Sequence, residues 1–117
     1  EIFRSNEICV YKGPEFDFLS KAQQEELFST TFSIGLNNRM AYQLEETIKN
    51  ECPSIITSAV LPGTIQLTPS GKLIILMKDC QTTGGYPRIL QLDPKSIIIL
   101  SQKYTRDNIQ FKKLSIL

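Results

Sequence analysis

The stretch Gln81-Thr82-Thr83-Gly84-Gly85-Tyr86-Pro87 gathers residue types that bind small polar ligands. Two hydroxyls and two adjacent glycines make a loop whose backbone can approach a ligand closely and whose amides can meet an anion or a carbonyl oxygen. The competing reading is a turn that merely needs glycine φ values. Asp79, just upstream, is either a general base or anchor for Arg39, or a strand-end carboxylate bonded to loop amides. Cys80 is a reactive thiol if the glycine loop lowers its pKa, and otherwise a small buried filler. Arg39 offers a guanidinium to a substrate carboxylate or to a structural ion pair. Tyr86 stacks on a ligand or packs over the scaffold. Lys78 and Asp79, read as neighbours on one strand, face opposite sides and do not form a pair.

Other chemistries are closed off by what the chain lacks. With no histidine, neither a Ser-His nor a Cys-His nucleophile pair nor an imidazole metal site can be assembled from it. An acid or base supplied here is Asp, Glu, Lys, Tyr or a perturbed Cys. Cys9, Cys52 and Cys80 are far apart and form no C-x-x-C pair, which disfavours zinc and a redox dithiol and fits a reducing compartment. Thirteen Lys and Arg against twelve Asp and Glu leave a net charge of +1, too balanced to draw in nucleic acid. No apolar run approaches the ~20 residues that cross a bilayer, and residues 1–11 lack a signal-peptide core. The expectation is therefore a cytoplasmic protein without a nucleic-acid or membrane partner. At 117 residues it has enough chain for one core but not two, hence a single domain over 1–117, and a first residue of Glu rather than Met fits a domain cut from a longer protein.

The elements that must position these residues read mostly as strands. Residues 8–12 form a short apolar segment stopped by Gly13-Pro14. Ser20 with Gln23 makes a capping box that starts a helix over 21–28. Strands over 31–35 and 40–44 flank the turn-prone Asn37-Asn38, and 47–53 is loop. From residue 55 the apolar pattern is denser through 60, then Pro62-Gly63 intervenes. Over 64–68, Ile65 and Leu67 alternate against Thr64, Gln66 and Thr68, the pattern of a half-buried strand. After the turn Pro69-Ser70-Gly71, the run 72–78 returns as a buried strand and closes a hairpin. Residues 88–92 are strand-like. Over 96–102, three successive isoleucines favour a strand while Asp93-Pro94 and Ser96 favour a helix, and we assign a helix. A last strand covers 109–116. Many short strands with two short helices imply a mainly β fold, a small closed or nearly closed barrel.

The loop does not stand alone. Pro62-Gly63-Thr64-Ile65-Gln66, Pro69-Ser70-Gly71 and the QTTGGYP loop follow one another, and Arg39-Met40-Ala41-Tyr42-Gln43-Leu44-Glu45 precedes them. This succession resembles the biotin-dependent carboxyltransferase, or allophanate hydrolase subunit 2, family, in its P-G-[AT]-I-Q, P-x-G, Q-T-T-G-G-Y-P and R-M-G-x-R-L-E motifs. The resemblance runs from Gly13-Pro14 to the C-terminus and matches the C-terminal half of the family. It differs in having Cys80 where the family usually carries Arg, and Asn38 and Ala41 where it usually carries Asp and Gly. A thiol at position 80 cannot replace the bidentate anion site of a guanidinium.

The resemblance implies a cyclophilin-like β-barrel, the C-terminal domain of a bacterial carboxyltransferase-like or 5-oxoprolinase-like subunit acting on a small amide, urea or lactam. Arg39, Asp79, Gln81, Thr82, Thr83, Gly84, Gly85 and Tyr86 are the expected substrate-binding residues, with Arg39 and the loop sharing one pocket, and no catalytic residue or metal is assigned. The implied partners are an upstream barrel of the same chain and a KipI-like subunit or fused domain. Biotin, as carboxybiotin, or ATP is expected in the full complex but not on this domain alone, which is then inactive in isolation. The alternative is a KipA-type regulatory module that binds a KipI-like protein without catalysis.

Overall fold

A computed structural model describes residues 6–114. It contains nine strands, β1 (Glu7–Lys12), β2 (Phe32–Asn37), β3 (Ala41–Leu44), β4 (Ser58–Ala59), β5 (Thr64–Leu67), β6 (Leu73–Leu76), β7 (Thr83–Gly84), β8 (Arg88–Leu92) and β9 (Asn108–Lys113). Two helices, α1 (Lys21–Ser29) and α2 (Pro94–Ser101), and a short 3-10 turn at Phe16–Phe18 complete it. Seven strands close into a barrel in the order β1-β8-β5-β6-β3-β2-β9, while β4 and β7 pair separately as a two-stranded ribbon. Only the closing pair, β1 with β9, is parallel; every other barrel pair is antiparallel.

Local chemistry explains the elements. Ser20 caps α1 by accepting the Gln23 N–H while the Gln23 side chain accepts the Ser20 N–H, so the reciprocal box forms as its residues dictate. For α2, the cap and the N1 proline decide against the β-branched run. Asp93 accepts the Ser96 N–H at 2.9 Å, Pro94 presets the first turn, and Ile99 and Leu100 bury while Ile98 faces outward. Ser96 is not the cap: its hydroxyl accepts the Cys9 N–H and ties α2 to β1. Gly63 and Gly71 stand at φ 93° and 90°, the left-handed turns on either side of β5 that side-chain-bearing residues rarely adopt.

The barrel is filled by Ile8, Val10, Ile34, Leu44, Ile65, Leu67, Ile75 and Leu90, all at most 1% exposed. The Phe32 and Phe111 rings meet at 5.4 Å between β2 and β9. β5 departs from the half-buried strand read in its alternation, because Thr64, Gln66 and Thr68 on the face away from the core are 4, 2 and 8% exposed. At Gln66 that face is covered by the ribbon β4–β7, whose Gly84 lies against the Gln66 amide as a flap, while Thr64 and Thr68 are engaged by Leu61, Gln91 and Lys72. The buried strand read over 72–78 ends at Leu76, and residues 77–80 turn, the Cys80 N–H donating to the Met77 carbonyl. Lys78 and Asp79 are thus turn neighbours, and the opposite-face argument does not apply to them. The last strand stops at Lys113; positions 115 and 116 of the expected strand lie outside the described residues.

Candidate functional site beneath the glycine loop

Two turns set Arg39 beside Asp79, two residues before the glycine loop. Asn38 Oδ1 accepts the N–H groups of Met40 and Ala41 at 2.8 and 3.1 Å, which sets the β2–β3 turn and aims Arg39 outward. The Met77 and Asp79 N–H groups donate to the Met40 and Arg39 carbonyls, extending the β3–β6 pairing into the next turn. Arg39 Nε consequently stands 3.1 Å from Asp79 Oδ2, with the two side chains 82% and 45% exposed. So open a pair stabilises the fold by about 0–1 kcal/mol and leaves the guanidinium free to swing to a ligand. Asp79 lies two residues before Gln81, within about 8 Å of backbone. The cavity beside Arg39, about 240 Å³, is lined by Asn38, Arg39, Tyr42, Met77, Lys78 and Ser101, so the loop residues 81–87 do not form its wall.

Within the loop, Gln81, Thr82, Thr83 and Tyr86 are exposed, while Gly84 is buried. The loop is held by its carbonyls: Thr82 accepts the Val60 N–H at 3.1 Å, Gly85 the Ile55 N–H at 3.0 Å, and Pro87 the Leu67 N–H at 3.0 Å. Ser58 and Ala59 pair with Gly84 and Thr83. Neither Gly84 nor Gly85 has a positive φ, so a turn conformation is not what they supply. Gly84 supplies close approach. A Cβ placed there would collide with Gln66 Nε2 and stand 3.3 Å from Gln81 Nε2, whereas a Cβ on Gly85 would meet only the Ile55 carbonyl at 3.7 Å.

Gln66 is the residue that the sequence did not single out. Its neighbours on the same face are satisfied: Thr64 Oγ1 donates to Gln91 Oε1 and accepts the Leu61 N–H, and Thr68 Oγ1 accepts the Lys72 N–H. Gln66 Nε2 is buried without a hydrogen-bond partner, alone in this respect among the described side chains. A buried amide without an acceptor costs on the order of 1–3 kcal/mol, so this donor is open to an acceptor from outside the chain, a ligand or a water. The available signal was Gln66 inside the Pro62-to-Gln66 motif, but periodicity placed it on a solvated face.

The far end of the loop is clamped by an ion pair. Arg88 Nε and Nη2 donate to the two Glu15 carboxylate oxygens at 2.8 Å each, and Nη1 donates to the Ala59 carbonyl at 3.0 Å. The pair is 19% and 12% exposed, and the Arg88 hydrogen bond holds the Glu15 carboxyl below its ordinary range, with the guanidinium pushed up in turn. Gly13 permits this arrangement, since a Cβ there would collide with the Arg88 carbonyl. Elsewhere, a polar groove of about 620 Å³ runs between the N-terminus of α1 and residues 49–52, including Cys52, whose thiol pKa burial pushes up and away from reactivity. Cys80 is half-buried in the turn. No cluster of metal-ligating side chains occurs among the described residues.

Comparison with known proteins follows the same lines. The chain is 30% identical to the 5-oxoprolinase C subunit of Escherichia coli (strain K12) over 99% of its length and 38% of that protein's. It is 35% identical to the 5-oxoprolinase C subunit of Haemophilus influenzae over 68% of its length and 26% of that protein's. It therefore spans well under half of these relatives. Urea carboxylase from Kluyveromyces lactis shares the fold at a TM-score of 0.84 with 19% identity, over 93% of this chain and 11% of that one. The urea amidolyase of K. lactis also gives 0.84, at 20% identity, over 93% of this chain and 7% of that one. Residues 2–113 match the model of the carboxyltransferase domain, subdomain A and B, and the chain belongs to that family.

Proposed function

We propose that this chain is the ligand-binding barrel of a carboxyltransferase-like or 5-oxoprolinase-like enzyme subunit, acting on a small amide, urea or lactam in the cytoplasm of a bacterium. The observation that carries the reading is the buried, unpartnered Gln66 amide beneath a loop whose Gly84 exists to let it approach. Gln81 and Thr82 supply polar contacts at the rim, and the Arg39–Asp79 pair stands in the turn that leads into it. The two 5-oxoprolinase relatives support the reaction class. Arg88 is already engaged, since Nε, Nη1 and Nη2 each donate one N–H to Glu15 or Ala59 and the Glu15 carboxylate offsets its charge. In this reading ATP, or carboxybiotin in the urea branch, is bound by other parts of the complex, and an upstream barrel and a KipI-like partner complete the active site.

The regulatory alternative, a KipA-type module without catalysis, draws on a different observation. Ile56, Leu61 and Tyr86, on or beside the flap, are 90, 63 and 40% exposed, a suitable surface for a protein partner. The full-length protein co-expressed with a KipI-like subunit separates the two. Co-purification with turnover of 5-oxoproline and ATP, or of urea and carboxybiotin, is expected, with no turnover by the 117-residue chain alone. Association without turnover supports the regulatory module; a partner-free monomer contradicts both.

A further inference from the structure

We infer that Gln66 is the specificity-determining residue of this site, its side-chain N–H donating to the carbonyl oxygen of a bound amide or lactam under the flap. The inference rests on the proposed ligand class. On the outer face of β5, Thr64 and Thr68 each engage neighbours and only the amide between them is left without an acceptor. Gly84 leaves room for that amide and nothing more, and Gln81 brings a second amide to the same point. A carbonyl oxygen with two lone pairs is the complement of such donors, and a ligand that lacks it leaves the buried donor unpaired. The ribbon above pairs over two residues only, Ser58 with Gly84 and Ala59 with Thr83, and is anchored on either side by the Thr82 and Gly85 carbonyls, so an oxygen enters by a shift of Thr83 and Gly84 between those anchors.

The test compares 5-oxoproline with cyclopentanecarboxylate, which shares the five-membered ring and carboxylate but lacks the lactam group, by calorimetric titration of the full-length protein with its partner subunit and of the variants in that complex. The wild type is expected to prefer 5-oxoproline by about tenfold or more, and Gln66→Met to erase the preference while keeping or raising Tm, because it removes an unsatisfied donor. A structural glutamine would instead lower Tm. If the preference survives in Gln66→Met, the inference fails and the loop site stands. If the wild type binds neither 5-oxoproline nor urea, both fall. Should the Met variant melt several degrees lower, Gln66→Glu, which keeps the size and replaces the amide nitrogen by oxygen, decides: a preference retained there overturns the donor role.

Discussion

The two adjacent glycines of the loop look interchangeable in the sequence and differ sharply in space. Gly84 faces the Gln66 amide, while Gly85 has open room for a methyl group. Gly84→Ala should therefore displace the Gln66 amide, the far end of a flexible side chain, at a cost of about 1 kcal/mol, whereas Gly85→Ala should stay within about 0.5 kcal/mol of wild type. Urea denaturation of the two variants checks the difference. That a loop rich in glycine and threonine was worth attention was legible in the residues themselves. Which glycine mattered was not, because the reason is a side chain 18 positions upstream on another strand (84 minus 66). Asn38 shows its local role only in space as well: its amide oxygen accepts the two turn N–H groups, a contact that a carboxylate oxygen would also make.

Among the elements, those with local signals were readable. The α1 capping box, the Asp93-Pro94 start of α2 and strand β8 lie where their residues place them. The β4–β7 flap was not, since two-residue strands carry no periodicity and their pairing joins segments more than twenty residues apart. Missing the flap is what made β5 look half-solvated. The clamp that fixes the flap gives it a pH dependence. Glu15 has a folded pKa below its ordinary value because Arg88 hydrogen-bonds its charged form. Its contribution is then fully present above the ordinary glutamate pKa of about 4.3 and is lost as pH falls through the depressed folded value. Hydrogen exchange at the Val60 and Ile55 amides, which donate to the loop, should accelerate in that acid window before the barrel amides do. Arg88→Met should reverse the sign of this pH dependence, because burial alone then raises the Glu15 carboxyl, and cost about 3 kcal/mol near neutral pH by stranding a mostly buried carboxylate.

For the whole molecule, the barrel's closure by the parallel β1–β9 pair encloses one core, while the candidate site sits outside that core, between β5 and the flap. In the proposed complex, an upstream barrel or a partner would meet this site from outside the core. The small closed barrel was foreseeable from many short strands and turns, but the side of its wall that carries the site depends on long-range pairing. The most direct measurement is a titration of the isotopically labelled chain with 5-oxoproline, followed by NMR. The predicted result is that the largest shifts fall on the amides of residues 81–85 and on the Gln66 side-chain NH₂ signals. Shifts confined instead to the larger groove at Phe18, Ser20, Lys49 and Cys52 would contradict a ligand site beneath the glycine loop.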